Sequence, residues 1–314
     1  MRGKQNTEFL SRLPTFISIG GAIIFVGLLV WLTVTSFLPF GCPPNCQGAD
    51  LSQRDLVGQD FSNADLRNAD LSDQFLGGVS LTGADLRGAN LQGADLRGID
   101  LRGVQLDGAT RIDTKWRLVW DIVNNGVEGR DLHYADLYSA DLAEANLRGA
   151  NLQGADLNWA YLYQADLRGA NLQGANLLFA YLEETKFDET TNVESKWRLI
   201  ADLMSHGGQG RDLSGADLSY ANMVSVDLRE ANLRGADLRE SRLDDANLAG
   251  AKLQGAKLSG ADMFGVNLHQ AQLQGANMDT TLNGVDLTGA FYNGDTIWSE
   301  GFDPLEAGAK TETP

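Results

Sequence analysis

Cysteine is nearly absent from this chain: Cys42 and Cys46 are the only two among 314 residues. One pair cannot build a disulfide framework, and with no His or second pair nearby it makes a poor metal site. Histidine is almost as scarce, and His133, His206 and His269 are far apart and share no motif. Positive charge is also in short supply, with 25 Lys and Arg against 42 Asp and Glu and a net charge of −17. A surface that acidic repels phosphates and anionic headgroups, so nucleic acid is not an expected partner. It suits a basic partner or solubility alone. Missing too are H-E-x-x-H, G-x-S-x-G, a Walker loop and a dinucleotide fingerprint. No catalytic residue can be nominated, and neither an enzyme nor a cofactor is expected.

Charge of either sign is missing from Leu13 to Ala49. Within that run, residues 13–40 exceed the roughly 20 apolar residues that cross a bilayer, so a transmembrane helix is expected there. A signal peptide is the rival reading, with Arg2, Lys4 and Arg12 as its basic start. Its hydrophobic core would be unusually long, and no small-x-small cleavage site follows. Those basic residues against Glu8 make residues 1–40 +2, which leaves −19 for the remainder. Basic residues before the span place residues 1–12 in the cytoplasm and the large C-terminal part on the far side, in a periplasm or thylakoid lumen. Cys42 and Cys46 fall in the linker, 41–48, and could close a small disulfide loop in such an oxidising compartment or remain free thiols.

What the chain has in abundance is one phrase. From Leu51 an apolar residue recurs at every fifth position to Leu106, restarts at Leu132 and runs to Phe187, then resumes at Leu213 and ends near Tyr292. Two places before each stands mostly Ala, and Asp or Asn lies between. A period of five fits neither a helix nor a strand, so the chain turns once per repeat in the same sense. Ala and Leu, two apart, point to one side of a short extended segment and the residue between them points away. Gly often follows as the second residue after Leu, where a tight turn tolerates little side chain. The coil therefore closes inward on Leu and Ala. Arg recurs just after the central residue; Arg67 and Arg87, twenty apart, should stack, with neighbouring Asp offsetting their charge. Asp and Asn columns could attract cations, but the repeat demands a polar residue there anyway, so no metal site is assigned.

The run "ADLRGANLQGADLRG" resembles the pentapeptide-repeat family, A-(D/N)-L-x-x, over about residues 49–292. The resemblance implies an all-β solenoid, a right-handed quadrilateral β-helix with four repeats to a coil. About forty repeats then make about ten coils, a rod near 50 Å long at the spacing of neighbouring strands. Blocks are expected at 49–113, 130–192 and 211–292, with a C-terminal cap and tail at 293–314. Trp298 and Phe302, just where the repeats cease, are expected to lid the last coil, since a solenoid end must be covered.

The two interruptions, 114–129 and 193–210, are copies offset by 81 residues, "TKWRLVWDIVNNGVEGRDL" and "SKWRLIADLMSHGGQGRDL". Trp116, Val119, Trp120 and Val123 fall on one helical face, Thr114 and Ser195 are expected N-caps, and Gly126 and Gly207 the stops. Each insertion is thus expected to be a short helix. Lys115, Trp116 and Arg117, with Lys196, Trp197 and Arg198, either lock the helix into the rod or form a docking site for a protein partner. The whole suggests a membrane-anchored, non-catalytic scaffold or protein-interaction module assisting a membrane complex. The alternative, implied by one branch of the family, is an acidic rod that mimics DNA and binds an enzyme such as DNA gyrase.

Overall fold

A computed structural model describes residues 38–311. The expected membrane segment, residues 13–40, lies outside the described residues except for its last three, and among the described residues no helix is long and apolar enough to cross a membrane. From Asn45 onward the backbone forms a ladder of parallel bridges at a separation of twenty residues, as in Asp50↔Asp70↔Asn90 and Asp131↔Asn151↔Asn171. Twenty residues are four five-residue repeats, so each coil has four faces. The central leucines of one coil define them: Leu132 on the first, Leu137 on the second, Leu142 on the third and Leu147 on the fourth.

Each repeat has the same local geometry, and it follows from the sequence. Leu and the Ala two places before it are buried in one continuous core, as Leu157 and Ala155 are, both with no exposed surface. The residue between them carries the bridge and faces out. After Leu the chain turns a corner: the N–H of Ala64 donates to Phe61 O at 2.9 Å, closing a four-residue turn around Asn63 at φ 58°. Only the third residue of that turn has positive φ, as in a type II turn, which is why glycine is favoured there.

Each block ends in the same device. Asp107 Oδ1 accepts the N–H groups of Ala109, Thr110 and, from the coil below, Gly88. Thr110 Oγ1 meanwhile donates to the buried carbonyl of Leu86 at 2.9 Å. Asp188 with Thr191, and Asn293 with Thr296, repeat the arrangement. The extra residue shifts the ladder by one, so Leu91 pairs with Ile112 rather than with residue 111. These D-x-x-T and N-x-x-T clasps stand in the sequence at each block end, outside the five-residue pattern.

Helix α1, Thr114–Asn125, and helix α2, Ser195–His206, occupy the insertions. Gly126 and Gly207 end them at φ 67° and 71°, as expected. Two details differ from the sequence reading. The N-cap residues are Asp113 and Glu194, neither with a side-chain cap bond, because the Asp113 carbonyl already accepts from Arg117 N–H and starts the helix one residue earlier. The buried face of α1 is Trp116, Val119 and Ile122. Trp120 and Val123 are only half-buried, since the Trp120 indole N–H turns out to the Val104 carbonyl at 2.7 Å.

The helices are wedges. On the first face Ile112 adds a layer between Leu91 and Leu132, and on the fourth Val127 N–H donates to Asn146 O, forming a layer under Leu147. At the corner between the second and third faces no layer is added: Gly98 N–H donates straight to Ser139 O at 2.9 Å. At α2 the equivalent joint is Phe179 N–H to Tyr220 O, also 2.9 Å. Both joints lie on one column of corners, because the 81-residue offset is four coils plus the clasp's extra residue. The coils therefore tilt toward the same corner at both insertions.

Outward arginines pair with the Asp two residues before them, as in Arg67–Asp65, Arg87–Asp85, Arg168–Asp166 and Arg239–Asp237, all at 2.5–2.6 Å. Arg67 also reaches Asp85 of the next coil at 3.7 Å. Exposed pairs of this kind contribute little individually, but they lower carboxyl pKa values together. The Arg67 guanidinium holds Asp65 at about 2, and the Thr190 hydroxyl, with backbone N–H groups, holds Asp188 at about 2. A carboxyl depressed on folding from an ordinary value of 3.8 adds stability that is fully present above that value. Melting temperature should therefore hold near neutral pH and fall as pH drops from about 4 through about 2, followed by circular dichroism; a flat profile would contradict the pairing.

Candidate functional site

Most outward bridge positions of the rod carry Asp, Asn or Arg, and the third face of the second block departs from this with two successive tyrosines. There the bridge column runs Asp141↔Tyr161↔Tyr181. The two tyrosine rings stack at 4.7 Å with an interplanar angle of 21°, and Tyr163 lies 6.2 Å from Tyr161. The Tyr181 hydroxyl donates to Glu183. Burial, then that hydrogen bond, pushes the Tyr181 phenol above its ordinary value. The carboxylates of Glu184, Glu183 and Glu144 act on Tyr163 in the same direction, Glu184 most strongly. Burial beside this column also raises the Asp141 carboxyl.

The corners on either side of this face are unusual as well. At the corner between the second and third faces, the first block has Gly58, Gly78 and Gly98, all at positive φ. Past the first insertion the same column reads Ser139, Trp159 and Phe179, then Tyr220, with φ of 52°, 60°, 54° and 55°. The next corner carries Glu144, Gln164 and Glu184 at 60°, 57° and 56°. By contrast the corner after the fourth face keeps Gly129, Gly149 and Gly169. A bulky residue in the left-handed region costs about 1–2 kcal/mol relative to glycine, so this face forgoes stability at several corners. Trp159 stacks on Phe179 at 4.8 Å, and Phe179 meets Tyr220 edge-on at 6.0 Å across the α2 joint. Arg242, from beyond that joint, places its guanidinium 5.4 Å over the Trp159 ring.

The residues singled out in the insertions face elsewhere. Trp116 and Trp197 are buried. Lys115 pairs with Asp136 at 2.8 Å and lies over the Trp116 and Tyr138 rings, while Lys196 pairs with Asp217 at 3.0 Å. Arg117 donates to the Thr110 carbonyl at 2.7 Å and Arg198 to that of Thr191, so both grip the block-end clasps. All six contacts are internal to the rod. At its far end Trp298 pairs with Met278, stacks on Phe302 at 5.3 Å and meets Tyr292 at 5.5 Å, against the core of the last coils. Cys42 and Cys46 are joined in a disulfide at the other end. No group of three or more His, Cys, Asp or Glu among the described residues could hold a metal ion.

The repeat itself matches the model of the family described as pentapeptide repeats, over residues 45–110, 131–188 and 212–279, well over half of the chain. The chain belongs to the pentapeptide-repeat family. Pentapeptide-repeat proteins form right-handed β-helices, and they are generally non-catalytic structural or interaction modules. No curated protein sequence matches the chain. Among solved structures it is similar to HetL, a pentapeptide repeat protein involved in heterocyst differentiation regulation in the cyanobacterium Nostoc sp. strain PCC 7120. Identity there is 27% over 78% of this chain and 88% of that one, with a TM-score of 0.21. A second Nostoc pentapeptide repeat protein, alr5209, is 32% identical over 38% of this chain and 93% of its own, TM-score 0.24. QnrB1, a plasmid-mediated fluoroquinolone resistance protein, is 18% identical over 74% and 84%, TM-score 0.18. All three scores are far below 0.5, so the family assignment rests on the repeat match.

Within a pentapeptide-repeat rod the tyrosine ladder and its flanking corners could have been found from sequence. The signal was the replacement of glycine, two places after the central residue, by Trp, Phe and Glu at twenty-residue spacing. Only Tyr220, which joins the aromatic corner across α2, needed knowledge of how the chain crosses an insertion.

Proposed function

We propose that this protein is a membrane-tethered, non-catalytic scaffold whose third face docks another protein and so helps to assemble or regulate a membrane complex. The observation that carries the docking role is the replacement of glycine by bulky aromatic and acidic residues at two adjacent corners, flanking an outward tyrosine ladder. Large rigid aromatics are what interface anchors are made of. Here they are partly exposed, Trp159 by 41% and Tyr161 by 39%. The tether is supported by the charge-free run from Leu13 to Ala49 and by the basic residues before it. The same asymmetry supports a rod across the membrane, and the Cys42–Cys46 disulfide agrees with an oxidising compartment there. Mimicry of DNA is disfavoured by the same topology, which would hold the rod on the side of the membrane away from the chromosome.

Affinity purification of the full chain from membranes in a mild detergent tests the scaffold, with a distinct protein expected to co-purify in constant ratio. A reporter active only in the cytoplasm, fused to the C-terminus, tests the topology and should stay silent. A soluble protein with an active reporter would overturn the tether and revive the DNA-mimic reading.

A further inference from the structure

The third face does more than expose apolar surface, because its chemistry selects a partner. We propose that it binds a cationic segment of the partner protein, whose Arg or Lys side chains pack on the aromatic rings while their charges meet the carboxylates beside them. This rests on the scaffold reading above and specifies what that scaffold holds.

Charge is the first argument. Asp141, Glu144, Glu183 and Glu184 lie on this face and its acidic corner, Asp141 in the column of Tyr161 and Tyr181 and Glu183 beside the Tyr181 hydroxyl. Both arginines on this face are already engaged: Arg102 bridges Asp100 and Glu144, and Arg242 is paired with Asp244. A negative field beside π faces favours guanidinium and ammonium groups over neutral or anionic ones. The second argument is a precedent inside the molecule. Arg242 stands over Trp159 at 5.4 Å, so the rod already holds one guanidinium on this aromatic corner.

Shape is the third. Beside Tyr181 and Glu183 a cavity of about 450 Å³ opens between α2 and the next coil. Tyr181, Leu203, Met204, Val224 and Val226 line it with His206 and Ser225, and of its two carboxylates Asp227 is paired with Arg229 at 2.6 Å while Glu183 accepts from Tyr181. A lining of apolar side chains that also holds the Glu183 carboxylate suits a long side chain with a methylene stem and a cationic head. Tyr181 belongs both to the ladder and to the lining of this cleft, so the two are continuous.

The test uses the full chain in neutral detergent and a fluorescein-labelled octa-arginine peptide, read by anisotropy at physiological ionic strength. Tyr161→Leu with Tyr181→Leu leaves the net charge unchanged and should weaken binding about tenfold. Glu183→Gln with Glu184→Gln, at exposed or half-buried positions that leave the core intact, should do at least as much. Glu128→Gln with Glu189→Gln makes the same charge change away from this face and should alter binding by less than about twofold. Melting curves establish that each variant is folded. Undiminished binding in the tyrosine variant, or equal losses in both carboxylate variants, would overturn the proposal by showing a diffuse attraction to an acidic rod. The peptide readout needs no native partner, so a purification that captures nothing bears on the scaffold reading alone.

Discussion

Replacing Trp197 with alanine should destabilise the protein by about 3–5 kcal/mol, the range for deleting a buried Trp. Trp197 is 5% exposed, and the same applies to Trp116 at 6%. Each indole belongs to the buried face of a helix wedged between two blocks, under a lysine that ties the helix to the following coil. Removing the ring leaves a void at a joint where stacking is already reduced to one direct backbone bond at the pinched corner, Phe179 to Tyr220. In a solenoid each layer is stabilised only by its neighbours, so a weakened joint should uncouple the blocks. Chemical denaturation should then change from one transition to two. If Lys115, Trp116 and Arg117 were instead a docking site, their replacement would lose a partner and leave unfolding unaltered.

A second large effect is expected in the lumen. Leu157 has no exposed surface, and changing it to alanine should cost about 2–5 kcal/mol. The outward Gln153, exposed on the same coil, should tolerate alanine within about 0.5 kcal/mol. The contrast between two positions so close in sequence measures the inside–outside alternation of the repeat. Equal denaturation midpoints for the two variants would contradict a core filled by the central leucines.

These two expectations differ in where they come from. That Leu157 is inside could be read from the five-residue period, because a chain that turns once per repeat must put the same two positions inward every time. That Trp197 is buried could not be read that way. Lys-Trp-Arg in a spliced helix is equally consistent with an exposed docking site, and only the contacts of Asp217 and the Thr191 carbonyl show where Lys196 and Arg198 are directed. The expected N-caps failed for a related reason: which residue starts a helix depends on where the incoming backbone carbonyl points, and in α1 that is Asp113.

The repeat by itself determined the coil, its leucine and alanine interior, its polar exterior and the presence and length of the two helical insertions. All of these are periodic or local properties, set by side-chain volume, turn chemistry and helical spacing within a few residues. Tertiary structure alone decided that both insertions pinch the same corner and that Tyr220 continues the column of Trp159 and Phe179. It also decided that tyrosines, carboxylates and the cleft beside α2 form one face. Stacking joins residues twenty or forty-one apart, and a one-residue shift at each clasp alters which of them meet. That register is fixed by hydrogen bonds between coils, which no short window of sequence contains.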